Sequence, residues 1–383
     1  MKIVSINPHY QDGLGYQDYY LGKEWVKNGH DVHFIASDRH FKFPEYDTTV
    51  KHIIGERYIG TGVFKSEYGA TIHRLKGYLE FTGRIWMQGL ESKIEELSPD
   101  IIICHGIFNL YSYRVAKIAA KLKIKVVFDE HTTTNLISDN IAAQSLRYLF
   151  KKFAVKNIEK VATKIVGISD SVMIFLTDFL GFKKKLAMIS LGADTETFYP
   201  DAELGQKFRE KLEIKRNHIL IVYTGKIYDK KRPDLIVDAL NAIDSDQKIV
   251  ILFVGDVALS YKNEFGEILK RSKWGTIHLP AILPDELLKV YNAADIAAWP
   301  AHLTGSTVDA SACGCPVIVN NLMGERITHQ NGIGINDENL KELIVAFKFL
   351  IENPEERKKM GYMGAQYVNE QLSWGAISKR FLE

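Results

Sequence analysis

The sequence predicts an α/β protein of two doubly wound, Rossmann-like domains. Three observations predict it. A strand, a Gly-containing loop, a helix and a second strand open the chain between Lys2 and Ala36. The same alternation starts again at Ile219-Leu-Ile-Val-Tyr223. Short apolar runs such as Ile101-Ile-Ile-Cys104 and Ile249-Val-Ile-Leu-Phe-Val254 are unbroken by polar residues, as strands buried on both faces require.

The elements follow in order. Lys2–Ile6 is a strand, and Asn7 to Gly15 is a loop containing Gly13 and Gly15. Gln17 to Asn28 carries Tyr20, Leu21, Trp25 and Val26 at helical spacing. Val32–Ala36 is the next strand. Residues 40–80, rich in Tyr and Gly, have no long period and read as irregular strands and loops. Glu80 to Leu97 reads as an amphipathic helix. A strand ending at His105, a helix over Leu110–Leu122 and a strand Ile124–Phe128 ending in Asp129-Glu-His131 come next. In open parallel sheets ligands bind beyond the carboxyl ends of strands, so His105 and His131 are candidate site residues.

Ser145 to Thr163 reads as one helix, and Lys164–Ile168 and Leu186–Ser190 as strands. Asp201 to Lys215 is a charged connection. Beyond Ile219–Tyr223 come a helix over Arg232–Asn241, the Ile249–Val254 strand, Thr276–Leu279, a helix over Pro284–Asn292 and the strand Ile296–Trp299. Domain limits are expected at 1–197 and 198–368, with 369–383 a terminal helix returning to the first domain.

Composition narrows the function. With 383 residues, 46% hydrophobic and 25% charged, the chain is long enough for two well-cored domains. A net charge of +2 gives no reason to expect a nucleic-acid partner. Three cysteines, at 104, 313 and 315, supply no disulfide framework and point to a reducing, cytoplasmic compartment. Cys313 and Cys315 lack a second pair to complete a metal site, and read as small residues beside Gly314. No signal peptide or membrane span is expected, and the abrupt Phe381-Leu-Glu383 ending leaves a longer natural chain open.

Two stretches carry chemistry. In Trp299 to Asn320, a strand ends at Pro300, and Thr304, Gly305, Ser306 and Thr307 present backbone N–H groups where a helix begins. Asp309 sits in that helix's first turn, placed to reach a neighbouring ligand. In Thr224-Gly-Lys-Ile-Tyr-Asp-Lys-Lys-Arg232, Gly225 turns the chain while Lys226 and Lys231 bring cations between a strand end and a helix start. Such cations stabilise a departing diphosphate.

These stretches resemble the retaining glycosyltransferases of family 4. Asp309-Ala-Ser-Ala-Cys-Gly-Cys-Pro-Val-Ile318 matches the second half of the family's donor motif, with Asp in the place of its second Glu. The first Glu is missing, and Ala301 occupies the position counted back from Asp309. Gly225, Lys226 and Lys231 match the Gly-Arg…Lys-Gly pattern, with Lys for Arg and Arg232 for the final Gly. Val126-Val-Phe-Asp-Glu-His-Thr132 looks like the segment whose His contacts the donor sugar, and Leu191–Pro200 like the inter-domain hinge.

The resemblance implies the GT-B fold, two Rossmann-like domains facing across a cleft. It implies a donor held by Gly13, Gly15, Gly225, Ser306, Thr307 and Asp309, with Lys226, Lys231 and His131 in catalytic roles and His105 on the acceptor side. The donor would be a nucleotide-diphosphate sugar, a UDP-sugar ahead of a GDP-sugar, and the acceptor a glycan or lipid-linked glycan. No cofactor is expected. No metal is expected either, because the lysines stand in for an Asp-x-Asp metal pair. A sugar-nucleotide-binding pseudoenzyme and a GT-B epimerase are the alternatives. The basic residues around Ser145–Thr163 and Lys183-Lys-Lys185 lead to an expected peripheral contact with anionic membrane, at its inner face.

Overall fold

A computed structural model describes residues 1–13, 16–43, 46–49, 51–81, 83–134, 140–301, 304–327 and 330–383. They form two compact units, Met1–Ile189 with Ser378–Glu383, and Ser190–Ile377. The division expected at 197/198 falls at 189/190. The hinge-like segment joins the second unit because Ala193 N donates to Leu372 O at 2.9 Å and Trp374 N to Ala193 O at 3.3 Å.

The first unit contains β1 (Lys2–Ile6), α1 (Gln17–Lys27), β2 (Asp31–Ser37), α2 (Tyr46–Thr49), α3 (Lys51–Ile54), β3 (Gly62–Lys65), β4 (Thr71–Leu75), β5 (Gly77–Phe81) and β6 (Arg84–Met87). It continues with α4 (Leu90–Leu97), β7 (Ile101–His105), α5 (Leu110–Leu122), β8 (Lys125–Glu130), α6 (Ile141–Phe153), α7 (Val155–Val161), β9 (Ala162–Gly167), α8 (Asp170–Ile174) and β10 (Leu186–Met188). Its main sheet runs β10-β9-β8-β7-β1-β2-β4-β3, parallel throughout except for the antiparallel β3–β4 edge. The order reverses at β1, which has β2 on one side and β7 on the other. Loops leaving the carboxyl ends of β1 and β7 therefore part at a switch point, where such sheets open a crevice.

Three expectations are corrected. Glu80–Leu97 is not one helix: it is the end of β5, then β6, then α4. Gly83 and Gly89 hold φ of +74° and +76°, which a continuous helix excludes. Ser145–Thr163 is two helices, interrupted at Ala154, whose last residues begin β9. The irregular 40–80 stretch includes β4, a buried strand of the main sheet.

The second unit contains α9 (Ala202–Lys211), β11 (Ile219–Thr224), α10 (Pro233–Asn241), β12 (Ile249–Val254), α11 (Lys262–Lys270), β13 (Gly275–Leu279), α12 (Pro284–Ala293), β14 (Ile296–Trp299), α13 (Ser306–Ala312), β15 (Val317–Asn320), β16 (Gly332–Ile335), α14 (Leu340–Glu352) and α15 (Pro354–Tyr367). The charged connection over 201–215 is largely a helix, α9, capped by Asp201, whose carboxylate accepts from Glu203 N and Leu204 N at 3.0 Å. The sheet is fully parallel in the order β13-β12-β11-β14-β15-β16. Every residue of β11 is buried, so its run of Ile, Leu and Val is a core strand. The reversal lies between β11 and β14, which sets the loop after Thr224 beside the loop after Trp299.

The closing helix α16 (Trp374–Leu382) ends in the first unit. There Trp25 Nε1 donates to Ser378 O at 3.0 Å and Arg380 Nη2 to Met188 O at 2.9 Å.

Candidate functional site

Two clusters sit at the carboxyl ends of strands, one in each unit. In the second unit, Trp299 Nε1 donates to Thr224 O at 2.8 Å, tying the end of β14 to the end of β11. Tyr291 from α12 bonds Thr224 Oγ1 through its hydroxyl at 2.8 Å and also meets Ser306. The basic turn and the start of α13 are thus held together by buried groups.

Gly225 opens the turn at φ +122°, a conformation that L side chains rarely adopt. Beneath it lies Gly255, where an added Cβ would stand 2.0 Å from Gly225 O. A single-turn helix over Asp229–Lys231 follows and stops at Arg232, φ +51°. This left-handed position explains why the family's pattern has Gly there. Arg232 is fastened instead by Asp234, from Nη2 at 2.8 Å, and by Glu338. Its guanidinium braces the turn. Lys226 is exposed and has no ion-pair partner among the described residues. Lys231 is half-buried, and burial pushes its ammonium below the ordinary value.

Asp309 comes from α13 and lies near Tyr291. Burial, then the nearby Asp194 carboxylate, raise its pKa to about 7, while Arg326 works in the other direction. Arg326 is itself buried and pushed down to about 10 by burial. Its Nε donates to Ser190 Oγ at 2.9 Å and its Nη1 to Thr304 O at 3.0 Å. The Asp309 carboxylate has no hydrogen-bond partner among the described residues. A desolvated, unspent acceptor of this kind suits a ligand that brings hydroxyl donors. Thr307 is buried, and its hydroxyl donates to Thr304 O at 3.1 Å, so the side chain braces the loop. Ala301 is buried too, and offers no carboxylate.

The chain does contain one Asp-x-Asp, Asp244-Ser-Asp246. It precedes β12, at the opposite end of the strand from the basic turn, about 20 Å away at the usual rise per residue. Asp244 pairs there with Lys273 at 3.2 Å.

In the first unit, Asp129 at the end of β8 is fully buried and gathers three donors on Oδ2. They are Gln17 Nε2 at 2.7 Å, His105 Nδ1 at 2.9 Å and His131 Nε2 at 3.4 Å. Burial alone would raise the Asp129 carboxyl, yet His105 and then His131 hold it far below the usual carboxylate range. Burial would lower the His105 pKa, but Asp129 and then Asp18 raise it, so the imidazolium is favoured. Ser5 Oγ lies 3.0 Å from His105 Nε2. Ser5–His105–Asp129 has the spacing of a hydrolase triad, but Ser5 is fully buried in the middle of β1 and cannot meet a substrate. His105 is therefore a core member of the cluster, whereas the His131 side chain is 41% exposed. Glu130 shapes the loop: its Oε1 accepts from His131 N and Thr132 N, both at 2.9 Å, and its Oε2 from Phe108 N at 3.0 Å. Gly13 has φ +81°, and Gly15 lies outside the described residues.

The residues missed from sequence are those that aim the others: Asp129, Gln17 and Glu130 in the first unit, Tyr291, Asp194 and Arg326 in the second. Only Asp129 and Glu130 had a signal, their place immediately before His131 at a strand end.

Two parallel, doubly wound units, each with a polar cluster at the carboxyl ends of its strands, define the GT-B class of fold. Solved structures share it across the whole chain. They include a glycosyltransferase from Rickettsia africae (15% identity, TM-score 0.73, 100% of this chain and 96% of that one). Sucrose-phosphate synthase from Thermosynechococcus elongatus matches at 16% identity and a TM-score of 0.68, over 99% and 96% of the two chains. Anabaena HepE in complex with UDP matches at 15% identity and a TM-score of 0.69, over 100% and 98%.

Residues 12–197 match the model of glycosyltransferase family 4, and residues 205–367 that of glycosyl transferases group 1. The chain belongs to the family 4 type of glycosyltransferases. A curated relative is the D-inositol 3-phosphate glycosyltransferase of Rhodococcus jostii, 23% identical over 218 residues, which are 52% of this chain and 46% of that protein. That of Corynebacterium glutamicum is 25% identical over 213 residues, 51% of this chain and 50% of the relative. The chain spans about half the length of the curated relatives it matches.

Proposed function

We propose that the protein is a retaining glycosyltransferase. It takes a sugar from a nucleotide-diphosphate sugar, a UDP-sugar ahead of a GDP-sugar, and passes it to a glycan or lipid-linked glycan. The observation that carries this reading is that Thr224, where the basic turn leaves β11, is fastened at the sheet reversal of the second unit to Trp299 and, through Tyr291, to the start of the helix that carries Asp309. A carboxylate without a partner suits two ribose hydroxyls, and cations at an adjoining turn suit the diphosphate. The complexes of HepE with UDP and with UDP-glucose support a nucleotide-sugar donor.

Lys226 and Lys231 take the charge that develops on the β-phosphate as the bond from C1 to the diphosphate oxygen breaks. The acceptor oxygen bonds C1 on the same face, and its proton passes to the departing phosphate. No metal or other cofactor takes part. His131, held toward Asp129 by one ring nitrogen, presents the other side of its ring to the sugar. Gly13, Gly15 and Ser306 belong to the donor-binding set. Three buried free cysteines support a reducing, cytoplasmic location, with peripheral membrane contact on the acceptor side. No helix among the described residues is long and apolar enough to cross a membrane.

One observation favours a second reading: Ala301, where the family has Glu, fits a binding pseudoenzyme. A panel of nucleotide sugars, each assayed for binding, for nucleoside-diphosphate release and for transfer, separates the two. Release and transfer are expected with at least one donor. Binding without turnover on every acceptor offered would leave the pseudoenzyme.

A further inference from the structure

The outer face of α6 combines exposed apolar side chains with a surround of lysines. The inner face of α6 is already packed. Phe150 meets Phe108 edge-on at 5.0 Å, and Arg147 stacks on Phe179 at 3.9 Å while its Nε donates to Phe179 O at 2.8 Å. The opposite face leaves four large apolar side chains in water: Ile141 at 83% exposure, Tyr148 at 63%, Leu149 at 49% and Phe153 at 52%. Their positions repeat at seven, eight and twelve residues from Ile141, so they form one stripe along the helix. Isolated exposed apolar residues need no explanation, but a stripe on one helix does.

The charges around the stripe supply the second observation. Lys151, Lys152, Lys156, Lys160, Lys183 and Lys184 are exposed, and none makes an ion pair among the described residues. Several helical lysines elsewhere do find carboxylates: Lys93 with Glu96 at 2.6 Å, Lys207 with Glu203 at 2.6 Å, Lys270 with Glu267 at 2.8 Å. The Lys183–Lys184 loop belongs to the same face. Both its backbone N–H groups donate to Glu159 of α7, at 2.6 and 2.9 Å, and Lys151 Cε lies 3.2 Å from the Cβ position of Gly181. Glu159, the acidic residue of α7, is thus committed to the backbone.

We infer that this face docks on an anionic lipid bilayer. The apolar stripe enters the boundary between headgroups and acyl chains, and the six unpaired lysines lie against the headgroup phosphates. A second copy of the chain is a poor occupant, because a two-fold contact would bring the same lysines face to face. The inference deepens the proposed function, in which a lipid-linked acceptor is presented at such a surface. Docking is read without catalysis, so the two stand or fall separately.

The test is co-sedimentation of the whole chain with vesicles of phosphatidylcholine alone and of phosphatidylcholine with phosphatidylglycerol in equal parts. Binding is expected only to the anionic vesicles, weakening by tenfold or more as salt is raised to about 1 M, where screening is short-ranged. Lys151→Glu with Lys152→Glu and Lys156→Glu should abolish it. Tyr148→Ser with Phe153→Ser should weaken it about tenfold, since two apolar side chains then no longer enter the lipid. Unchanged circular dichroism and melting temperature certify the fold of each variant. Equal binding to neutral vesicles, no binding, or binding indifferent to the Lys substitutions in folded protein would each overturn the inference. So would self-association that the same substitutions remove.

Discussion

Replacing Asp309 by Asn isolates the carboxylate on which the donor assignment rests. In the folded protein this group titrates near 7 against an ordinary value of 3.8, because burial and Asp194 disfavour its charge. If ribose hydroxyls donate to it, only the ionised form binds well. The ionised fraction rises from about a tenth at pH 6 to about nine tenths at pH 8, so this group alone should strengthen nucleotide binding roughly tenfold across that interval. The terminal phosphate of UDP also titrates in this range, so the quantity to follow is the ratio of wild-type to Asp309→Asn affinity. Calorimetric titration of UDP should give a ratio of about two to fifteen at pH 6, rising to roughly ten- to over a hundredfold at pH 8, the range set by a lost charge-assisted hydrogen bond of roughly 1.5–3 kcal/mol. Stability should move the other way. A carboxyl whose folded pKa is raised leaves stability intact below 3.8 and loses it progressively up to about 7. The neutral Asn escapes that loss, worth at most about 4 kcal/mol, so unliganded Asp309→Asn should melt higher than wild type at pH 8 and equally at pH 3.5. A pH-independent affinity ratio of one, in a folded variant, would refute the ribose role.

Three further outcomes are expected. Lys231→Ala should lower transfer a few hundredfold, the loss of about 3 kcal/mol of charge stabilisation, and Lys226→Ala by less because that side chain is more exposed; rates within threefold of wild type for both would remove them from the reaction. Transfer should persist in excess chelator, and activity that vanishes there and returns with Mn²⁺ or Mg²⁺ would restore a metal to the mechanism. Asp129→Asn should destabilise the first unit by about 3 kcal/mol or more, because the His105 imidazolium loses its buried counter-charge; equal urea midpoints would contradict the cluster's electrostatics.

Much of the second unit was legible because its strands are continuous apolar runs punctuated by Gly and Pro. Its sheet order then follows from chain order plus one reversal, which sets the loops after Thr224 and Trp299 side by side. The first unit resisted where patterns mimic one another. Ile85, Leu90, Ile94 and Leu97 repeat at near-helical spacing across the left-handed Gly89, so a hairpin strand and a helix blended into one predicted helix. Strand β4 carries His73 and Arg74 into the interior, and Arg74 donates to Ser37 O and Tyr10 O, partners far off in sequence. The partners of the His105 ring were hidden likewise, because Ser5 and Asp129 are distant in sequence. Arg232 stood out only as a departure from the family's Gly. Its left-handed backbone and its two carboxylate partners became visible together.

The central claim is retention during transfer from a nucleotide-diphosphate sugar to an acceptor. Proton NMR of the product formed from an α-linked donor such as UDP-glucose, followed from the first turnover, tests it most directly. The account predicts an α-configured linkage accompanied by one equivalent of nucleoside diphosphate. A β-configured product would contradict it.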